Sequence, residues 1–279
     1  MPHTAHPVAL VTGANSGIGR VSATELARRG FEVILAGRSA NRTRDAVAAI
    51  RDETGNPRVE MLVLDLASLA SVRRAAAAFL ASGRPLHVLL NNAGVVGARG
   101  VTEDGFELAF GVNHLGHFLL TDLLLERLRE VEGARVVTVS SVAHTQIDTI
   151  DFDAVTRPTR TLTGLREYRA SKLANVVFTI ELARRLEGSG VSAFALDPGL
   201  AATAIWRRVP WPIRPLLTRS MQSSEEGART SVHLATRDGG AEESGCYYVD
   251  LERREPNPAA LDARLGEELW RRSREWTER

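Results

Sequence analysis

The sequence predicts an α/β fold: a doubly wound parallel sheet of about seven strands with helices on both faces. Three observations predict it. Short apolar runs alternate with segments of helical period along the chain, which implies parallel pairing with a helical layer on each face. A glycine-rich turn, Thr12-Gly13-Ala14-Asn15-Ser16-Gly17-Ile18-Gly19, joins the first run to the first helical segment. No repeat, low-complexity tract or linker divides the chain, so residues 1–279 are expected to form a single domain.

Residues 7–12, with the run Val8-Ala9-Leu10-Val11, read as a strand stopped by the glycine turn. Residues 17–30 read as a helix and 31–36 as the second strand. A helix over 40–54, a strand over 59–64, a helix over 69–81 and a strand over 86–90 follow. A long helical stretch covers 104–130, and the fifth strand is 135–139. Then come a helix at 168–186, a strand at 191–196, a helix at 224–236 and a last strand at 246–249. Two segments break the rhythm: an inserted polar connection at 142–165 and a substrate loop at 201–223 rich in Trp, Pro and Arg. Such long loops in compact domains are often functional. In the tail, 258–277, Leu261, Leu265, Leu269 and Trp276 fall near helical spacing. The tail reads as an amphipathic helix docked on the body, with an oligomer contact as the sharper alternative.

The chain is 44% hydrophobic and 25% charged with a formal net charge of +1. That balance offers no field for nucleic acid or an anionic membrane, and neither is expected as a partner. One cysteine, Cys246, excludes an intrachain disulfide. The first residues do not read as a secretion signal, and no run approaches the about 20 apolar residues of a membrane span. A cytoplasmic protein is expected.

The glycine turn carries the first chemistry. Gly13 permits a tight turn, and Gly17 and Gly19 let a diphosphate approach the backbone while helix and strand pack closely. The helix that begins there presents unpaired N–H groups to phosphate oxygens, with Asn15, Ser16 and Ile18 beside them. The second strand ends at Ala36-Gly37-Arg38-Ser39. NAD-binding folds of this kind carry an acid there for the ribose hydroxyls; here Gly37 and Arg38 take its place. A guanidinium pairs with a 2′-phosphate that a carboxylate would repel. Ser39, Asn41 and Arg42 lie near enough to assist, and NADP(H) is favoured over NAD(H).

Tyr168 and Lys172 stand four apart, on one face of a helix. A phenol with a pKa near ~10 is a poor base at neutral pH. A neighbouring cation favours the phenolate and brings it toward the working range. The pair lies downstream of a strand ending in Ser140-Ser141, at the carboxyl edge where ligands bind in open sheets.

In this order the motifs resemble the short-chain dehydrogenase/reductase family, a Rossmann-type fold, over nearly the whole chain. Thr12 to Gly19 resembles its cofactor motif, and Asn91-Asn92-Ala93-Gly94 its segment lining the adenosine side. Asp65-Leu66 is similar to the pair that flanks adenine. The resemblance implies that Asn113 holds a proton-relay water, Ser141 rather than Ser140 binds the substrate oxygen, and Tyr168 and Lys172 are the acid/base pair. Lys172 would also hold the nicotinamide ribose. Pro198, Gly199 and Thr203 would contact the carboxamide. The gap from Ser141 to Tyr168 exceeds the family's usual spacing and is shared with a subgroup resembling retinol dehydrogenases and the WW-domain oxidoreductase, without WW domains. A homodimer or homotetramer through the 104–130 and 168–186 helices is implied.

The expected activity is NADP(H)-dependent hydride transfer between nicotinamide and a carbonyl or alcohol carbon of a lipophilic small molecule. A non-catalytic NADP(H) sensor is the rival from another class; it has no need of the Tyr168–Lys172 pair. A lyase or epimerase on the same fold is the third reading. His114 and His117 sit three apart without a third ligand and read as core or surface histidines, so no metal is expected. His144 reads as a lid-surface or a catalytic residue. Trp206 and Trp211 either line an apolar substrate mouth or pack their own loop.

Overall fold

A computed structural model describes residues 6–199, 223–237 and 239–278. The first strand, β1 (Val8–Thr12), is buried at every position. Val8 and Leu10 enter one apolar core and Ala9 and Val11 the other, following the two-residue period of a strand between two helical layers. Seven further strands complete the sheet among the described residues: β2 (Glu32–Gly37), β3 (Val59–Val63), β4 (Val88–Asn91), β5 (Arg135–Val139), β6 (Ser192–Asp197), β7 (Tyr247–Val249) and β8 (Glu252–Arg254). Their order is β3-β2-β1-β4-β5-β6-β7-β8. All neighbours run parallel except β7 and β8. Strand order reverses between β1 and β4, which opens a crevice at the carboxyl edge of the sheet.

The helices are α1 (Gly17–Arg28), α2 (Ala40–Thr54), α3 (Leu69–Ala81), α4 (Leu108–Phe110), α5 (Gly116–Arg129), α6 (Leu165–Arg185), α7 (Ser224–Thr236) and α8 (Ala263–Thr277). One core lies under α1, α2 and α7; the other gathers α3, α5, α6 and α8. Local chemistry sets the ends. The Ser39 hydroxyl accepts from Arg42 N–H to start α2, and Gly55 closes it at φ +67°. Ser223 and Glu226 form a reciprocal capping box on α7.

Several boundaries differ from the sequence reading. The sheet has eight strands rather than about seven, because the 246–249 strand is not the last. The chain turns through Asp250 (φ 46°) and Leu251 (φ 69°) and returns as the charged, exposed β8. Positive φ at two non-glycine residues hid the turn, and charge on an edge strand hid the strand. The long helical stretch begins at Leu108, not 104, and includes a π-turn over Gly111–Leu115. The α6 helix begins one turn before Tyr168, after Gly164 at φ +66°. In the tail, Pro258–Leu261 is a separate 3-10 turn, and the Asp262 carboxylate caps α8 by accepting from Arg264 N–H. Leu261 is therefore exposed, while Trp270, absent from the expected stripe, is buried. Residues 201–222 of the loop expected to serve the substrate, with Thr203, Trp206 and Trp211, lie outside the described residues.

One stretch, Leu108–Arg129, is long and apolar enough to cross a bilayer, contrary to the expectation that no run is so long. In this structure 72% of its apolar window is buried inside the protein. There Phe110, Leu115, Phe118 and Leu120 join the core beneath α6 and α8. α8 lies across α5 and α6: the Trp270 ring centroid is 5.1 Å from Phe118 and 6.0 Å from Phe178. The His114 Nε2 is 3.1 Å from the Ser273 hydroxyl.

Candidate active site

A cleft of about 730 Å³ runs along the carboxyl edge from the glycine turn to the end of β5. Its size is that of a typical small-molecule site. At one end Gly13 takes φ +68° and Gly17 φ +56°. A Cβ at position 13 would sit 2.9 Å from Ala93 Cα, and one at position 19 would sit 2.7 Å from the Gly13 carbonyl oxygen. Bare backbone is required at both. Ser16, at the N-cap of α1, makes no side-chain cap bond, and no acid stands in the first turn. The first N–H groups of α1 are thus left for an anion from the cleft, and this donor set fits a diphosphate.

Thr12 knits this turn to β4. Its hydroxyl oxygen accepts from Asn92 N–H (2.9 Å) and Ala93 N–H (3.0 Å), and the Asn92 amide donates to the Thr12 carbonyl at 2.8 Å. His117 completes the knot. Its Nδ1 donates to the Asn113 carbonyl at 3.0 Å, so Nε2 is free to accept from the Thr12 hydroxyl at 2.9 Å. Burial pushes His117 down to about 4 and His114 to about 3; both are neutral core histidines. Among the described residues, no three His, Cys, Asp or Glu side chains gather as metal ligands would.

At the β2 end, Arg38 and Arg42 line the cleft opposite Asp65 and Leu66. The Arg38 guanidinium is 71% exposed and 4.0 Å from the Asp65 carboxylate. Gly37 occupies the place of the expected acid; a Cβ there would meet the Thr43 hydroxyl at 2.5 Å. That hydroxyl donates to the Ser39 carbonyl at 2.9 Å. Ser39 itself is spent on capping α2 and is not part of the cleft lining.

At the other end Ser141, Tyr168 and Lys172 share one wall of the cleft with Pro198 and Gly199. The Ser140 hydroxyl instead donates to the Lys172 carbonyl at 2.8 Å. Lys172 Nζ donates to the Val139 carbonyl at 2.9 Å and lies 5.7 Å from the centre of the Tyr168 ring. Burial pushes Lys172 down to about 8, and Asp197 partly offsets it. Burial pushes the Tyr168 phenol up; hydrogen bonding with Ser141 pulls it back, and the Asp197 charge raises it further. Burial thus sets the direction of the shift, and the Lys172 ammonium faces the ring.

Asn113 lies one layer behind the cleft, fully buried on the π-turn. Its side chain accepts from Val95 N–H (2.8 Å) and donates to the Val95 carbonyl (3.0 Å) and the Ser171 hydroxyl (2.9 Å). It thereby ties the Asn92–Gly94 strand end to α6. Gly94 is packed against it, a Cβ there falling 3.3 Å from Asn113 Oδ1.

Near the reactive end the sequence reading missed the role of Asp197 and left that of His144 open. The buried Asp197 carboxylate accepts from Val142 N–H (3.1 Å) and Gly199 N–H (3.0 Å). Its signal was present, an acid directly before Pro198-Gly199 at a strand end. His144 is fully buried, which corrects the lid-surface reading.

The family model described as short chain dehydrogenase matches residues 7–151. Retinol dehydrogenase 13 from Homo sapiens is 43% identical over 95% of this chain and 82% of its own length. Retinol dehydrogenase 12 from Homo sapiens is 44% identical over 94% and 84%. Among solved structures, a protein from Mycobacterium paratuberculosis matches with TM-score 0.77 and 36% identity, over 100% of this chain and 96% of its own. A short chain dehydrogenase from Shigella flexneri, complexed with NADP, shares the fold at TM-score 0.70 and 24% identity, covering 88% and 97%. A 3-ketoacyl-(acyl-carrier-protein) reductase from Brucella melitensis, complexed with NADH, does so at 0.68 and 23%, covering 87% and 96%.

Proposed function

The chain belongs to the short chain dehydrogenase family, and on that footing we propose that it is an NADP(H)-dependent oxidoreductase acting on a lipophilic carbonyl or alcohol. The observation that carries this reading is the shared wall: Ser141, Tyr168 and Lys172 meet in one cleft that continues to the glycine turn. When bound, NADP(H) supplies or accepts the hydride. The turn from Gly13 to Gly19 would hold the diphosphate, Asp65 and Leu66 would flank the adenine, and Pro198 and Gly199 would meet the carboxamide. Lys172 would reach the nicotinamide ribose. In reduction, with a hydride supplied to the carbonyl carbon and the C=O pair passing to oxygen, the Tyr168 phenol would give that oxygen its proton. The Ser141 hydroxyl fixes the oxygen, and Asn113 holds the strand end against α6. Val95, Val96, Ala98, Leu108, Val112 and Leu165 are among the apolar residues of the cleft lining, which supports a lipophilic substrate.

Oxidation of NADPH, with NADH in parallel, against a panel of apolar aldehydes and ketones tests the reading. A clear preference for NADH counts against Arg38 as the phosphate partner. Arg38→Ser should raise the KM for NADPH by about 10- to 100-fold, the worth of a charge-assisted hydrogen bond, and leave that for NADH little changed. Equal effects on both cofactors would remove Arg38 from the reading.

The pH profile follows from the two shifts. Lys172 is charged below about 8 and loses its charge above it. The Tyr168 phenol, pushed up, keeps its proton over that range. Reduction should hold level through neutrality and fall as pH rises through about 8, read as kcat/KM with NADPH. A profile without that fall would separate Lys172 from the chemistry.

A further inference from the structure

We propose that His144 and Asp197 are positioning residues that clamp the peptide unit between Ser141 and Val142 from its two sides, and so aim the Ser141 hydroxyl at Tyr168. The inference rests on the dehydrogenase reading and assigns two residues that reading leaves without a role. The Ser141 carbonyl accepts from His144 Nδ1 at 2.7 Å and from His144 backbone N–H at 3.1 Å. The N–H of the same peptide unit, on Val142, donates to Asp197 Oδ2 at 3.1 Å. The unit cannot rotate without breaking bonds on both faces. The Ser141 hydroxyl oxygen is held by Ala143 N–H at 3.2 Å, so its direction is set by the same turn.

The partners fix the state of the imidazole. A carbonyl accepts, so Nδ1 carries the proton; Asn257 N–H donates to Nε2 at 3.1 Å, so Nε2 carries none. His144 is therefore neutral, with one tautomer. A second proton, on Nε2, would face the Asn257 N–H and push the ring out of its seat against Ser141. Asn257 is itself anchored, its amide donating to the His144 (3.0 Å) and Ile147 (2.8 Å) carbonyls. The Tyr247 ring of β7 packs on the imidazole edge-on at 4.8 Å. Among the described residues, the charged and titratable groups facing His144 are Asp197 from β6 and Tyr247 from β7; Lys172 and Tyr168 of α6 are linked to it through Asp197. Burial holds His144 below its usual value, against the Ser141 carbonyl bond and the Asp197 charge. An acid limb below pH ~6.5 follows.

The test uses the full chain, NADPH and nonanal. His144→Phe keeps the ring packing and removes both polar contacts. It should lower kcat by about 100-fold with the KM for NADPH within about twofold. In a Ser141→Ala background the same change should cost nothing further, because the clamp acts through that hydroxyl. His144→Gln, which donates and accepts but does not titrate, should recover kcat to within about threefold and lose the acid limb. If His144→Phe does not fold, His144→Gln decides alone by the presence or loss of that limb. An undiminished penalty without the Ser141 hydroxyl, or no penalty with it, overturns the clamp. If no carbonyl is reduced at all, the dehydrogenase reading fails, and the clamp is still decided by nitrogen NMR of labelled histidine, assigned by difference with His144→Gln. A neutral Nδ1–H imidazole at pH 7 upholds it; the Nε2–H form or the cation overturns it.

Discussion

Tyr168→Phe should bind NADPH as the parent does and lose a factor of about 10²–10⁴ in kcat. The substitution removes one oxygen and keeps the ring beside which Lys172 sits, with Nζ 5.7 Å from its centre. Lys172 retains its bond to the Val139 carbonyl, and Ser140 its bond to α6. Cofactor contacts on the glycine turn lie at the other end of the cleft. What disappears is the proton that the carbonyl oxygen must receive as the hydride arrives. Fluorescence titration with NADPH reports binding, and single-turnover oxidation of NADPH reports the step. Turnover near that of the parent would mean that another group delivers the proton and that the shared wall has been misread.

Phe118→Ala carries the largest expected cost to stability. Phe118 is 1% exposed. It meets Trp270 at 5.1 Å, Phe178 at 5.8 Å and His114 at 6.2 Å between ring centres, so α5, α6 and α8 all lean on one side chain. Emptying a site of this kind costs about 3–5 kcal/mol. For a chain of this size that is a fall of roughly 6–20 °C in Tm. The rings around the gap are themselves packed against one another, which limits collapse into it. Calorimetry or a guanidinium midpoint measures the loss. A shift within about 2 °C would show that the three helices are held chiefly elsewhere.

The difference between what the sequence revealed and what it concealed is physical. Strands buried on both faces, such as β1 and β5, announce themselves as apolar runs, and β5 falls at 135–139 as expected. Tyr168 and Lys172 were legible because four residues is one helical turn, and Ser141 because a strand ends there. The β8 strand was not: its three residues are charged, and its turn dispenses with glycine. Nor was the partnership of His144 with Asn257, which are 113 positions apart and meet only once the chain has crossed the sheet. The tail misled in one respect. Leucine spacing pointed to Leu261, whereas the Asp262 cap starts the helix after it and brings Trp270 inward.

The tight approach of Gly37 to Thr43 bears on how cofactor choice can evolve here. A carboxylate at position 37 needs a Cβ where the threonine oxygen now lies, and that threonine is buried, β-branched and bonded to Ser39. Single-site drift toward an acid therefore passes through a crowded, destabilised intermediate. The two positions should behave as one epistatic unit: a library varying 37 alone returns misfolded clones, whereas pairing it with alanine or serine at 43 opens the route.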